Sequence, residues 1–162
     1  MRDIQPTLSV LFICTGNICR SPTAEGVLRQ KLASHPAGKS VRVASAGTQD
    51  YHFGEAPDPR AQKHAVLRGY DLSKLRARQV TETDCRQFTW ILAMDRSHLR
   101  HLEAIAPPDS SARLGLFLQF SRAYAGQEVP DPYYGGAAGF EKVLDMAEEG
   151  TDRLLEEMFR EG

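Results

Sequence analysis

The chain has 162 residues, 41% of them hydrophobic and 25% charged, which is the size and composition of one ordinary globular domain. The formal net charge of −1 gives no electrostatic reason to expect nucleic acid or an anionic membrane as a partner. The opening MRDIQPTLSV lacks the apolar core of a signal peptide, and no apolar run approaches the roughly 20 residues that span a bilayer. We therefore expect one cytoplasmic domain over residues 1–162.

Four segments are predicted to be β-strands, namely residues 8–13, 41–46, 90–94 and 113–116. The first is a nearly continuous apolar run, which is typical of a parallel strand buried on both faces. Helical spacing follows Ser21-Pro22, where Ser21 suits the N-cap and Pro22 suits the first turn. Residues 97–105 are predicted to form a second helix. A long amphipathic helix is predicted at the C-terminal end, with apolar residues at Phe140, Val143, Leu144, Ala147, Leu154, Leu155 and Met158.

Strands that alternate with helices predict an α/β fold, with a parallel sheet and helices on both faces. The Pro-rich segments 56–59 and 107–110 are predicted to be loops inside this single domain. In sheets of this kind, ligands bind beyond the carboxyl ends of the strands, near the point where the strand order reverses. The segment that follows the first strand is therefore the first place to look for a site.

That segment, Cys14-Thr-Gly-Asn-Ile-Cys-Arg-Ser-Pro22, runs from a buried strand into a helix N-terminus. Free backbone N–H groups and the helix dipole make such a terminus an anion site, and Gly16 allows a tight bend close to a ligand. Arg20 offers a planar fork that matches two phosphate oxygens. Helix N-termini and arginine favour the thiolate form of cysteine, so Cys14 is the candidate nucleophile. A cysteine followed six residues later by arginine is weak evidence alone, and a buried cysteine near a structural arginine is the alternative.

Four motifs carry a resemblance to a known family: the segment that begins at Cys14, Ser45-Ala-Gly-Thr48, Ile91-Leu-Ala-Met-Asp95 and Asp131-Pro-Tyr-Tyr-Gly135. Together they are similar to the low-molecular-weight protein tyrosine phosphatases, and the resemblance spans nearly the whole chain from Val10 onwards. It implies a compact domain with a four-stranded parallel sheet. It also implies hydrolysis of phosphotyrosine through a cysteinyl-phosphate, with no metal ion or other cofactor.

Asp131 is the candidate general acid and, in the second step, general base. Hydrolysis of an aryl phosphate requires that the leaving phenolate be protonated and that a water be activated later, and one carboxyl group can do both. Asp131 lies in a segment rich in proline and glycine, which predicts a loop. Asp-Pro is also a common turn pair, so a purely structural role is the alternative from the residues alone. The resemblance places the general acid of the family on Asp131.

The resemblance also implies that Asn17, Ser21 and Ser45 hold the phosphate loop open, and that Ser21 donates a hydrogen bond to the Cys14 thiolate. Each of the three is equally suited to an ordinary turn or cap. The chain departs from the family pattern at Leu75, where relatives often carry a histidine that bonds the loop asparagine. The departure predicts either a less rigid loop or a substitute donor.

The predicted substrate pocket has aromatic walls, since phosphotyrosine is longer than phosphoserine and deep aromatic pockets select it. By resemblance, Tyr51 and Tyr133 stack on the substrate ring, and Tyr134 lies beside them. An exposed loop aromatic is the alternative for Tyr51. Ile18 forms another wall and favours an aryl phosphate, since related arginine phosphatases tend to carry threonine there. Thr15 stands where relatives vary, and is expected to tune recognition around the phosphotyrosine.

Two further roles are considered for the cysteines and histidines, namely a redox role for Cys19 and the binding of a metal ion. Cys19 either traps oxidised Cys14 as a reversible disulfide or serves as a small buried apolar residue. Structural zinc is not expected, because no second cysteine pair accompanies Cys14 and Cys19. His98 and His101 have the spacing of helix neighbours and are predicted to lie on a solvated face.

Two other functions compete with a phosphatase. An arsenate reductase of the same fold needs a further cysteine pair, and only Cys85 exists outside the loop. A phosphate-binding domain without turnover is the rival from another class, and the joint presence of Cys14, Arg20 and Asp131 argues against it. As partners we expect a phosphotyrosine protein and a cognate tyrosine kinase. The chain is expected to be a monomer.

Overall fold

The computed structural model describes residues 8–160 and contains a four-stranded, fully parallel sheet in the order β2-β1-β3-β4. The strands are β1 (Leu8–Cys14), β2 (Val41–Gly47), β3 (Trp90–Ala93) and β4 (Arg113–Leu116). All four predicted strands are confirmed, each to within one residue of its predicted bounds. Residues 1–7, which make up most of the segment assessed for a signal peptide, lie outside the described range.

Five α-helices connect and cover the strands within residues 8–160: α1 (Arg20–Ala33), α2 (Pro59–Leu67), α3 (Glu82–Gln87), α4 (Arg96–Ile105) and α5 (Ala137–Met158). Short 3₁₀ turns at Gly38–Ser40 and Phe117–Phe120 precede β2 and follow β4. The predicted helices α1, α4 and α5 are confirmed. In this part of the chain no helix is long and apolar enough to cross a bilayer.

Two details of the predicted helix boundaries are wrong. Helix α1 begins at Arg20 with Cys19 as its N-cap, so Ser21 lies inside the first turn, where its hydroxyl faces Asn17 and Cys14. Pro59 belongs to α2 rather than to a loop, because Asp58 caps the helix by accepting a hydrogen bond from the Arg60 backbone N–H. Proline suits such a first helical position, since its missing N–H would have no partner there.

Apolar side chains fill both faces of the sheet. Alternate residues of β1 point to opposite sides, so Val10 and Phe12 pack with α1 and α5, while Leu11 and Ile13 pack with Leu102 of α4. The predicted arrangement, with helices on both faces, is confirmed. Since the strand order reverses between β1 and β3, their carboxyl ends leave a crevice there. Cys14, the last residue of β1, lies at this crevice.

Candidate active site

The phosphate-binding loop, defined here as residues 14–20, joins the end of β1 to the start of α1. Asn17 makes its turn with a φ of 59°, the one left-handed conformation at a non-glycine residue within 8–160. Gly16 lies in the bent segment 15–19, as predicted, and Asn17 supplies the left-handed residue of that segment. A Cβ atom at Gly16 would lie 2.8 Å from the His52 ring, so the glycine makes room for that side chain. Helix α1 begins directly after this turn, and a helix N-terminus favours a bound anion.

A buried network of hydrogen bonds fixes Asn17. Its Nδ2 group donates to Oγ of Ser21 at 2.8 Å and to Oγ of Ser45 at 2.9 Å. Its Oδ1 atom accepts the backbone N–H of Arg78 at 3.1 Å. Ser45 in turn donates to the buried Glu25 carboxylate at 2.7 Å. Three polar groups therefore hold one amide, and together they hold the strained residue of the loop.

Leu75 does not take part in this network. It is half-buried and packs against the apolar cluster that contains Ile18 and Ala77. The backbone of Arg78 supplies the donor for Asn17, and a double salt bridge to Asp84 fixes the Arg78 side chain at 2.9 and 3.0 Å. The predicted alternative of a substitute donor therefore describes this loop.

The Cys14 sulfur is buried and lies 3.0 Å from Oγ of Ser21. Because Asn17 Nδ2 donates to the same oxygen, the Ser21 hydroxyl keeps its own hydrogen for the sulfur at 3.0 Å or for the Ala46 carbonyl at 3.5 Å. A thiolate has no hydrogen to give, so Ser21 is the donor whenever Cys14 is ionised. Ser21 is therefore placed to donate a hydrogen bond to the sulfur of Cys14.

Arg20 is only 4% exposed, and protein groups occupy one side of its guanidinium. Both hydrogens of Nη1 are used, since Nη1 donates to Oδ2 of Asp95 at 3.0 Å and to the Val129 carbonyl at 3.1 Å. Nη2 donates to Oγ1 of Thr15 at 3.4 Å. The Nε–H and the second Nη2 hydrogen make no hydrogen bond to residues 8–160, and the Asp131 carboxylate lies 3.9 Å from Nη2 as an ion-pair partner. This free edge has the fork geometry that binds two oxygens of one phosphate.

Asp95 and His98 were not predicted as site residues, and the predicted solvated position of His98 is wrong. His98 is 2% exposed, and its Nε2 lies 2.8 Å from Oγ1 of Thr15. Burial, together with the positive charge of Arg20, lowers the pKa of His98 to about 4, so the ring is neutral at pH 7. Burial raises the pKa of Asp95, but hydrogen bonds from Ser97, His98 and Arg20 bring it below its ordinary value. Asp95 also caps α4 by accepting the backbone N–H of His98, and aspartate before a helical segment is a sequence signal that indicates such a cap.

Asp131 lies in the loop before α5, and its side chain is 46% exposed. Its Oδ1 atom accepts the backbone N–H of Tyr133 at 3.0 Å, which orients the carboxyl group. Its Oδ2 atom lies 3.9 Å from Nη2 of Arg20. Asp131 therefore stands at the rim of the site, on the side of the guanidinium that carries the free edge.

A cavity of about 200 Å³ connects these groups. Its lining residues include almost all of the predicted loop and pocket residues, and one that was not predicted, His52: Cys14, Thr15, Gly16, Ile18, Cys19, Arg20, Tyr51, His52, Asp131, Tyr133 and Tyr134. Asn17, Ser21 and Ser45 lie behind the loop as supports. The structure thus brings Cys14, Arg20 and Asp131, the predicted nucleophile, clamp and acid, to one concave surface.

The aromatic walls of the cavity differ in exposure. Tyr51 is 69% exposed and Tyr134 is 92% exposed, so both stand at the rim. Tyr133 lies deeper, with its ring edge-on to Tyr134 at 4.9 Å and the Arg60 guanidinium 5.3 Å from its centroid. These contacts hold Tyr133 in place as a wall, while the exposed rings of Tyr51 and Tyr134 are accessible to an incoming ligand.

Neither of the other cysteines is paired. Cys19 is buried in the apolar cluster next to Ile18, and burial together with the nearby Asp58 raises its pKa well above the ordinary range. Disulfide exchange between Cys19 and Cys14 stays a prediction. Cys85 is fully buried in the cluster on the α4 side of the sheet. The described residues contain no group of three or more His, Cys, Asp or Glu side chains suited to a metal ion.

Comparison with known proteins gives one consistent result. Residues 9–162 match the family model described as low molecular weight phosphotyrosine protein phosphatase. A low molecular weight protein-tyrosine-phosphatase of Streptomyces coelicolor is 41% identical over 152 residues, which cover 92% of each chain. A crystal structure of a protein tyrosine phosphatase from Entamoeba histolytica superposes with a TM-score of 0.88 at 35% identity, over 94% of this chain and 97% of that one.

A crystal structure of a Drosophila arginine phosphatase has the same architecture, with a TM-score of 0.85 at 28% identity over 94% of this chain and 99% of that one. Solved structures with this fold are therefore named both as tyrosine phosphatases and as an arginine phosphatase. The family model matches residues 9–162, which is nearly the whole sequence and includes all four motifs that carried the resemblance. The chain belongs to the low molecular weight phosphotyrosine protein phosphatase family.

Proposed function

We propose that this chain hydrolyses phosphotyrosine in proteins, and small aryl phosphates, through a cysteinyl-phosphate intermediate. The observation that carries the proposal is that Cys14, Arg20 and Asp131 line one cavity at the end of β1. Each type of side chain that the reaction needs is present there, and the chemistry needs no metal ion or other cofactor.

In the first step, the phosphate binds between the loop backbone and the free edge of Arg20. The Cys14 thiolate attacks phosphorus on the side opposite the phenolic oxygen, and the bond from phosphorus to that oxygen breaks. Asp131, protonated at the start, gives its proton to that oxygen, so that a neutral phenol leaves. Arg20 holds the equatorial oxygens as charge develops on them. Its position is fixed by Asp95 and by the Val129 carbonyl.

In the second step, the Asp131 carboxylate accepts a proton from a water that attacks the phosphorus of the intermediate. The bond from sulfur to phosphorus breaks, inorganic phosphate leaves, and Cys14 returns to the thiolate. Ser21 favours this departure, because its hydroxyl can donate to the leaving sulfur at the observed 3.0 Å. Asp131 ends protonated and is ready for the next cycle.

The walls of the cavity support phosphotyrosine as the substrate. Tyr51, Tyr133 and Tyr134 offer aromatic surface to a phenyl ring, and Ile18 adds an apolar wall. The guanidinium group of phosphoarginine would instead need polar or charged partners in the cavity walls where these apolar and aromatic side chains lie. Phosphoarginine is the second candidate because of the likeness to the Drosophila arginine phosphatase.

The test compares phosphotyrosine peptide, p-nitrophenyl phosphate and phosphoarginine at equal concentrations in a chelating buffer, with wild type and Cys14→Ser. We expect turnover of the first two, a much lower kcat/KM on phosphoarginine, and no turnover by the variant. Preference for phosphoarginine would overturn the substrate assignment. Turnover by Cys14→Ser would overturn the cysteinyl route.

Two alternatives have less support. A disulfide-relay arsenate reductase would need Cys85 near the loop, but this thiol is enclosed by the cluster that contains Leu102 and Phe88. Arsenate-dependent oxidation of thioredoxin would favour this alternative. A phosphate-binding domain without turnover would bind phosphotyrosine peptide and release it unchanged.

We further propose that residues 1–162 act as a single domain and as a monomer, which light scattering tests directly. The substrate is a phosphoprotein, so a protein tyrosine kinase must produce it. A cytoplasmic location is proposed because Cys14 and Cys19 are unpaired, and a reducing compartment keeps such thiols active. A fusion to a fluorescent protein would test the location.

A further inference from the structure

The hydrogen-bond partners of the Thr15 hydroxyl group determine where its hydrogen can point. Thr15 follows the nucleophile and lines the cavity. Its Oγ1 atom lies 2.8 Å from Nε2 of His98 and 3.4 Å from Nη2 of Arg20. The direction of the hydroxyl depends on which atom of each pair supplies the hydrogen.

The ring of His98 can be assigned from the hydrogen bond at its other nitrogen. The backbone N–H of Asp95 lies 3.2 Å from Nδ1 of His98, and a backbone N–H can only donate. Oδ1 of Asp95 is also 3.2 Å from Nδ1, but it already accepts the Ser97 hydroxyl and the His98 backbone N–H. Nδ1 is therefore the acceptor, and in the neutral ring the hydrogen sits on Nε2.

It follows that Oγ1 of Thr15 accepts two hydrogen bonds. His98 donates through Nε2, and Arg20 donates through Nη2, since a guanidinium has no acceptor. These two bonds occupy both lone pairs of the hydroxyl oxygen. The Thr15 hydrogen is left without an acceptor among residues 8–160, on a side chain that lines the cavity. A free donor next to an arginine edge suits an oxygen of a bound phosphate.

We propose that the Thr15 hydroxyl is a phosphate-binding donor, and that His98 is the positioning residue that directs it. This proposal rests on the proposed function, because it concerns the same anion site. It assigns a residue pair, Thr15 and His98, to recognition of the phosphate group itself rather than of the tyrosine ring. Thr15 also accepts a hydrogen bond from Nη2 of Arg20, so its hydroxyl group lies next to the guanidinium that is proposed to hold the same anion.

The experiment uses inorganic phosphate as a competitive inhibitor of p-nitrophenyl phosphate hydrolysis. Thr15→Val removes the hydroxyl at nearly constant volume and should raise the inhibition constant of phosphate about tenfold or more, as expected for a hydrogen bond to a charged group. Thr15→Ser restores the hydroxyl and should recover most of that loss. Thr151→Val is the matched control, because it removes a buried threonine hydroxyl in α5 that contacts Lys31 and the helix backbone. It should leave the inhibition constant at the wild-type value.

His98 is tested in the same assay through a double-mutant cycle. His98→Leu should raise the inhibition constant several-fold in the wild-type background and have no further effect in Thr15→Val. His98→Gln keeps an amide donor and should recover part of the loss. If His98→Leu does not fold, the comparison of His98→Gln in the two backgrounds measures the same coupling.

Equal inhibition constants for Thr15→Val and wild type would overturn the role of Thr15 as a donor. Effects of the two sites that simply add would overturn the positioning role of His98. Failure of the proposed function would be distinct, because wild type would then show no Cys14-dependent turnover at all.

Discussion

The backbone N–H of Arg78 donates to Oδ1 of Asn17 over 3.1 Å, and so joins the phosphate-binding loop to a segment 61 residues away in the chain. The Arg78 side chain is in turn held by the buried Asp84 at the start of α3. The loop is therefore anchored by the backbone of a neighbouring segment, in addition to the hydroxyl groups of Ser21 and Ser45. Rigidity of the anion site should depend on all of these contacts.

Two replacements of Asn17 should distinguish the stability that its hydrogen bonds contribute from the cost of its left-handed backbone conformation. Asn17→Gly suits the φ of 59° but removes all three hydrogen bonds, so we expect a loss of about 2–4 kcal/mol in the free energy of unfolding. Asn17→Ala should lose about 1 kcal/mol more, because alanine is strained in the left-handed region. In both variants kcat should fall at least about tenfold. Urea denaturation and steady-state kinetics measure these effects, and equal stability of the two variants would contradict the account of strain.

Restoring a histidine at Leu75 should not improve the enzyme. Both hydrogens of the Asn17 amide are already used, and Arg78 already donates to its oxygen. Leu75→His should cost about 1 kcal/mol of stability through lost packing beside Ile18, with no gain in kcat. Leu75→Met, which conserves volume, serves as the control. A higher kcat in Leu75→His would show that the loop is under-anchored.

The buried His98 should make stability depend on pH in a defined window. Its pKa falls from 6.5 to about 4 in the folded state, so the unfolded state binds more protons between these values. The free energy of unfolding should therefore decrease as the pH falls from 6.5 to 4, by about 3 kcal/mol at most from this group.

The control for this pH effect is His98→Gln, in which the same titration cannot occur. Carboxylates with lowered pKa values that do not contact His98, such as Asp58, also lose stabilisation as the pH falls, and they do so in both proteins. The difference between wild type and variant across a series of urea titrations isolates the histidine. Parallel curves from pH 4 to 7 would contradict a neutral, buried His98.

The role of Asp131 as general acid predicts a dependence on the leaving group. Asp131→Asn should lower kcat by about 10² to 10⁴ on phenyl phosphate, because the amide cannot protonate the phenolate. The loss should be smaller on p-nitrophenyl phosphate, whose leaving group is more stable as an anion. Tyr134→Phe, at the exposed rim, is the control and should not lower kcat on either substrate. An equal loss on both substrates would indicate that Asp131 acts only in hydrolysis of the intermediate or in binding.

The strand and helix pattern was predictable because it depends on local periodicity. The apolar run of β1 and the spacing of Phe140, Val143 and Leu144 in α5 each carry the information within a few residues. The short helices α2 and α3 were missed, since their starts depend on caps at Asp58 and Thr81 rather than on an apolar stripe. Short helices of this kind are stabilised mainly by tertiary contacts.

The partners of the loop could not be predicted from spacing. His98 follows Arg96 and Ser97, and such a polar run is typical of an exposed helix face, yet the fold brings His98 within 2.8 Å of Thr15. The pairing of Arg20 with Asp95 likewise follows from the adjacency of β1 and β3, which the sequence does not specify. The N-cap position predicted for Ser21 from residue preference is wrong, because α1 begins at Arg20. The contact of the Ser21 hydroxyl with the Cys14 sulfur, which the family resemblance implied, is present at 3.0 Å.

The most direct test of the central claim is to trap the intermediate. Asp131→Asn slows its hydrolysis, so rapid acid quenching during turnover of p-nitrophenyl phosphate should capture one phosphoryl group per chain. Peptide mass spectrometry should place that group on Cys14, and the Cys14→Ser variant should carry none. A phosphoryl group on any other residue, or undiminished turnover by Cys14→Ser, would contradict the account.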